Sequence, residues 1–194
     1  LDWFAEVIEG RDRRLAAPTM SAAWLYLGEV RYGKFVARYT PFIGAAIVKH
    51  FERAERARPM IICPKPLEDM WELYNETYEL NARVLPMSML RETAEGSLTK
   101  LLEDPKYRDR DFVLVDESHN FRHHTTQRYQ VLETFLHAGR QCCFLTATPR
   151  NSSAWDIYTQ IKLFHPEEVT ALPVDPPVLR EYFKLVASGE RTLR

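Results

Sequence analysis

From Lys34 onward, short apolar runs alternate with longer stretches of helical period. The runs are Phe35-Val-Ala37, Met60-Ile-Ile-Cys63, Arg83-Val-Leu85, Phe112-Val-Leu-Val115 and Cys142-Cys-Phe-Leu145. A run that is apolar throughout, rather than at every second position, fits a strand covered on both faces, as in a parallel sheet. Between the runs, residues 42–57, 66–80 and 125–137 carry apolar side chains at spacings of three and four, the period of a helix with one buried stripe. Pro64 and Pro66 flank Lys65, ending the second run and opening the next helix, because proline suits a helix's first turn and not its interior. The repeated order of strand, helix and strand predicts an α/β fold with a mostly parallel sheet.

The flanks are less regular. Residues 1–9 suit a short amphipathic helix, and Ser21 is placed to cap a second helix from Ala22. Residues 94–100, with Gly96 and Ser97, read as a surface loop. The tail from His165 carries Pro166, Pro173, Pro176 and Pro177 and ends in a short helix near residues 179–186. The predicted organisation is therefore a helical segment over 1–32, the sheet-bearing lobe over 33–165, and a linker with a short helix over 166–194.

Composition narrows the setting. Of the 194 residues, 45% are hydrophobic and 12% aromatic, which supports a packed core and excludes disorder as the main state. Lys plus Arg number 26 against 27 Asp plus Glu, so any contact with a polyanion must come from a local patch. The three cysteines, Cys63, Cys142 and Cys143, cannot build a disulfide framework or a paired metal knuckle, and a reducing, cytoplasmic setting fits them. No apolar run approaches the roughly 20 residues of a membrane span, and the first residues lack the pattern of an export signal, so no membrane partner is expected. The chain opens on Leu1 and stops in the charged stretch 189–194, which reads as a piece of something longer.

The chemistry concentrates at two strand ends. Phe112-Val-Leu-Val115 runs straight into Asp116, Glu117, Ser118 and His119. At the carboxyl end of a parallel strand, side chains emerge into the crevice where α/β sheets bind ligands. Adjacent carboxylates there repel unless a cation or separate tasks divide them: one holds hydrated Mg²⁺, the other orients a water. A bare Asp-Glu pair can equally end a strand by capping the helix that follows. The second end, Leu145-Thr146-Ala147-Thr148-Pro149, adds hydroxyls and a backbone turn after another apolar run.

Asp116-Glu117-Ser118-His119 and Leu145-Thr-Ala-Thr-Pro149 resemble motifs II and III of superfamily-two helicases, with the closest likeness to bacterial Swi/Snf-like helicases and translocases. Thr146 stands thirty positions beyond Asp116, in the family's order. Met60-Ile-Ile-Cys-Pro64 resembles motif Ia, and Val84-Leu-Pro-Met-Ser88 stands where the family has motif Ib. The resemblance spans residues 32–186. It implies a three-layer, RecA-like first lobe of the P-loop NTPase type, with ATP and Mg²⁺ as cofactors. In it Asp116 would coordinate Mg²⁺, Glu117 would position the attacking water, and His119 would link the nucleotide to motif III. Thr146 and Thr148 would couple nucleotide state to nucleic acid, DNA rather than RNA, and Lys65 and Ser88 would contact its sugar-phosphate backbone. The partner would be a second RecA-like lobe of the same polypeptide, without which the fragment is expected to have little activity.

One part of the family's pattern departs. A glycine-rich loop with a lysine should separate the first strand from the first helix. Between Phe35-Val-Ala37 and the helix expected from Phe42 stand only Arg38-Tyr39-Thr40-Pro41. Just upstream, Gly28-Glu-Val-Arg-Tyr-Gly33-Lys34-Phe35 fits G-x-x-x-x-G-K-[ST] except at its last position. There Phe35 lacks the hydroxyl for Mg²⁺, and Pro41 is expected to interrupt a helix starting at Lys34. Either a loop segment is missing before Phe42, or the lobe is a non-catalytic RecA-like interaction domain that has lost its phosphate-binding loop. A different P-loop NTPase, with the Thr-Ala-Thr-Pro run fortuitous, is a further alternative.

The remaining clusters read as structure. His119, His123 and His124 lack a cysteine or acid at metal-ligand spacing and form a polar loop, Cys142 and Cys143 pack in a strand, and Trp71, Tyr74 and Tyr78 make a core stripe.

Overall fold

The computed structural model describes residues 22–24, 33–90, 104–146, 153–171 and 174–191, with side chains from residue 41 onward. Strands β1 (Ala22–Trp24), β2 (Pro59–Cys63), β3 (Arg83–Pro86), β4 (Phe112–Val115) and β5 (Gln141–Phe144) form one sheet in the order β1-β5-β4-β2-β3. Every pairing is parallel. Parallel neighbours need crossovers, and these come from α1 (Gly33–Ala54), α2 (Glu68–Thr77), the single turn α3 (Pro105–Arg108) and α4 (Gln127–His137). Helices α5 (Trp155–Lys162) and α6 (Leu179–Ser188) follow.

The strand period of two divides the core. Met60, Ile62, Val113, Val115, Cys142 and Phe144 face α4, where Tyr129, Leu132 and Phe135 meet them. Ile61, Cys63, Leu114, Cys143 and Leu145 turn to the opposite face, against Ile43, Ile47 and Val48 of α1 and Trp71 of α2. Apolar side chains are thus required at consecutive positions, which is why these strands read as unbroken runs. The result is the three-layer α/β arrangement expected, with helices on both faces of a parallel sheet. α1 approaches closely at Gly44, where a Cβ would stand 2.6 Å from a Leu145 methyl and 2.8 Å from the Trp71 ring.

At the amino edge of the sheet Arg140 acts as a staple. Its guanidinium donates to the carbonyls of Arg108 (2.7 Å), Arg110 (2.8 Å) and Phe135 (2.7 Å) and lies over the Phe135 ring. A smaller apolar cluster joins α5 to α6 through Ala154, Leu179, Tyr182, Phe183 and Val186, with Ile157, Tyr158 and Ile161 packed against it. Among the described residues no helix is long and apolar enough to cross a membrane.

The structure corrects the start of the lobe. Phe35-Val-Ala37 is not a strand but part of α1, and Ala22–Trp24, expected to open a helix, pairs with β5 instead. A short apolar run satisfies a helix as readily as a strand, and the place beside β5 goes to the segment that can reach it. Arg38-Tyr39-Thr40-Pro41, expected to connect strand and helix, lies within the 22 residues of α1. Pro41 was expected to stop such a helix, yet α1 continues through it. Proline inside a helix, which removes one backbone hydrogen bond and crowds the carbonyl four residues back, costs about 3 kcal/mol, which the burial of Ile43, Ala45, Ile47 and Val48 beyond the proline offsets. Gly33 and Lys34 consequently open a helix that follows a strand. Gly28 lies outside the described residues, as do the helix expected over 1–9 and the loop expected over 94–100.

Candidate active site

β4 lies between β2 and β5, with Val115 level with Ile62 on one side and Phe144 on the other. The chain leaving β4 is therefore held from both sides: the Asp116 N–H donates to the Ile62 carbonyl (2.8 Å) and the Ser118 N–H to the Leu145 carbonyl (2.9 Å). Between these clamps Glu117 adopts a left-handed backbone, φ 49° and ψ 47°. For a residue with a Cβ that conformation costs on the order of 1 kcal/mol and persists only when its surroundings enforce it.

Asp116 is only 2% exposed. One carboxylate oxygen, Oδ2, accepts the indole N–H of Trp71 at 2.8 Å, and the other, Oδ1, accepts the Glu117 backbone N–H at 2.9 Å. Burial pushes the carboxyl up to about 6, and the neighbouring Glu117 charge adds to the rise, while the two donors pull it back down. Cys63, at the end of β2, is pushed up to about 12, by burial first and by the Asp116 charge second, so its thiol stays protonated.

Glu117 is half-buried, and its Oε2 stands 3.0 Å from His119 Nδ1. The same imidazole nitrogen is 3.2 Å from Thr146 Oγ1, just past β5. His119 therefore stands where the acid turn meets the end of the neighbouring strand. Asp116 and Glu117 present the hard oxygen donors that Mg²⁺ takes, and one or two carboxylates suit an ion that draws its other ligands from water and phosphate. Among the described residues no group of three or more His, Cys, Asp or Glu side chains could hold a metal by itself. A Mg²⁺ held here would have to draw most of its ligands from water and phosphate.

The structure brings Asp116, Glu117, His119 and Thr146 together, and Thr148 lies outside the described residues. Lys65 and Ser88 stand apart from them, on the turns after β2 and β3. Both are exposed and line one open cleft of about 750 Å³ with Asn120, Thr126, Gln127 and Arg128. Lys65 is ion-paired with Glu68. Asn120 joins cleft and acid turn, its side-chain amide donating to the Glu117 carbonyl at 2.9 Å.

Two residues at the site escaped the sequence. Trp71 belongs to the core stripe as expected, yet its indole N–H is the donor to Asp116. The available signal was chemical, since a buried indole must find an acceptor. Gln160, on α5, accepts the Ser118 hydroxyl at 2.9 Å and donates to the Asp156 carbonyl at 3.0 Å, and no periodicity or motif marks it.

No family model matches the chain, and no curated protein matches it in sequence. Among solved structures it is similar to the Sulfolobus solfataricus SWI2/SNF2 ATPase core in complex with dsDNA, at 13% sequence identity and a TM-score of 0.51. The match covers 68% of this chain and 30% of that one, so the chain spans about a third of that protein's length. What the two have in common is the fold: a parallel sheet between helical layers.

Proposed function

We propose that the chain is the first ATPase lobe of a nucleic-acid-dependent helicase or translocase that acts on DNA. The observation that carries this reading is the convergence at His119, whose Nδ1 lies 3.0 Å from Glu117 and 3.2 Å from Thr146 across two parallel strand ends. Phosphoryl transfer to water asks a protein chiefly for positioning and charge stabilisation. In this lobe Asp116 would hold the Mg²⁺ of bound ATP, the ion neutralising charge on the phosphates. Glu117 would orient the attacking water and accept its proton. His119 would sense that carboxylate and pass its state to Thr146 and, two positions further along the chain, Thr148.

The cleft holding Lys65 and Ser88 would take the sugar-phosphate backbone, which needs donors but no base readout. The SWI2/SNF2 neighbour's duplex DNA supports that choice of polymer. A second lobe would complete the motor, because phosphoryl-transfer charge is commonly met by an arginine from a facing element.

The test is ATP turnover with Mg²⁺, with and without duplex DNA, in the intact protein that carries this lobe. DNA should stimulate hydrolysis, and Glu117→Gln should remove nearly all turnover while ATP binding persists. Turnover that DNA does not stimulate would favour an unrelated P-loop NTPase instead.

A second reading has its own observation. Arg38-Tyr39-Thr40-Pro41, where the resemblance calls for a glycine-lysine-threonine loop, is interior to α1. On that reading the lobe keeps its shape as an interaction domain and does not hydrolyse ATP. Absence of saturable Mg-ATP binding would select it.

A further inference from the structure

We propose that Gln160 is a positioning residue for the Glu117 carboxylate, acting through Ser118; the inference rests on the ATPase reading above. Glu117 sits in a left-handed backbone conformation that its own side chain does not favour. The surroundings must therefore enforce it. On the Asp116 side three bonds do so: Asp116 N–H to Ile62, Trp71 to Oδ2, and the Glu117 N–H to Oδ1. On the other side Ser118 is fixed by its N–H to the Leu145 carbonyl and by its hydroxyl to Gln160 Oε1 at 2.9 Å.

Ser118 and Gln160 are both 0% exposed. A hydroxyl and an amide sealed from water must find partners in the protein, so the bond between them sets where each can sit. The Gln160 amide is in turn aimed by its donation to the Asp156 carbonyl one turn back on α5. Rotation of Ser118 would carry with it the peptide that follows Glu117. It would swing the Glu117 carboxylate away from its position 3.0 Å from His119.

Helix α5 has a second face. Tyr158 packs edge-on against Phe183 of α6, with ring centroids 5.6 Å apart, and Ile157 and Ile161 join the same cluster. The helix that positions the acid turn is thus also the helix that seats α6, and the Ser118–Gln160 bond is a buried polar link between the acid turn and α5.

Three variants separate positioning from folding, each measured for thermal midpoint, ATP Kd, and DNA-stimulated kcat and KM in the intact protein. Ser118→Ala and Gln160→Met alone each remove the buried Ser118–Gln160 hydrogen bond and should lower the thermal midpoint. The double variant replaces both partners with apolar groups and should recover most of that stability. Its kcat should nevertheless stay on the order of tenfold below wild type with KM and ATP binding unchanged, because the carboxylate is no longer aimed. A double variant that regains wild-type kcat together with its stability overturns the inference and leaves the ATPase reading standing. A wild-type protein without turnover, unaffected by Glu117→Gln, overturns both.

Discussion

Replacing Trp71 with phenylalanine tests whether the buried carboxylate of Asp116 depends on the indole N–H. Trp71 is 0% exposed, and its Nε1 lies 2.8 Å from Asp116 Oδ2. The smaller ring leaves a void worth about 1 to 2 kcal/mol. The lost hydrogen bond to an ionised acceptor is worth about 1.5 to 3 kcal/mol. The variant should therefore unfold roughly 2.5 to 5 kcal/mol more easily at pH 8. The hydrogen-bond part depends on pH. The folded-state value of Asp116, about 6, lies above its ordinary 3.8, so the native protein binds the proton more tightly than the unfolded chain does. Its contribution to stability is complete below 3.8 and is lost as pH rises through about 6. Trp71→Phe removes a donor that favours the charged form, moving the folded value higher still and deepening the loss at alkaline pH. At pH 5 the carboxyl is mostly protonated and needs the donor less, so the penalty should shrink by about 1 to 2 kcal/mol. Urea unfolding followed by far-ultraviolet circular dichroism in magnesium-free buffer at pH 5 and pH 8 measures both numbers. Equal penalties at the two pH values would show that Trp71 contributes packing alone and would refute the argument.

Gly44→Val should destabilise by about 1 to 3 kcal/mol, since the added atoms collide with Leu145 and the Trp71 ring; a denaturation midpoint at or above wild type would contradict the close approach of α1. Arg140→Ala should cost about 1 to 3 kcal/mol by stranding three carbonyls at the amino edge of the sheet. It should leave Mg-ATP affinity unchanged, because the acid turn lies at the opposite edge, and titration calorimetry beside a urea melt measures both effects. Lys65→Ala should weaken duplex DNA binding to a similar degree for every sequence and reduce the slope of log K against log salt by about one, read by fluorescence anisotropy over a salt series. An unchanged slope would remove Lys65 from the phosphate track.

The sequence by itself determined the layers and the edge at which the chemistry gathers. Met60-Ile-Ile-Cys63, Phe112-Val-Leu-Val115 and Cys142-Cys-Phe are apolar at consecutive positions because both sheet faces are covered, and β2, β4 and β5 form there within a residue at either end. Asp116 follows Val115 directly, so its place at the carboxyl edge was already written in the strand that precedes it. The first strand was not legible: Phe35-Val-Ala37 suits either element, and Ala22-Ala-Trp24 is too short and alanine-rich to announce itself. Only the tertiary structure decided the strand order, and that order sets β5 beside β4 and brings Thr146 to His119. It also paired Trp71 with Asp116, 45 residues apart, and Ser118 with Gln160, 42 apart. Periodicity reports which face a residue turns inward, whereas the partner of a buried polar atom depends on which distant segment packs over that face.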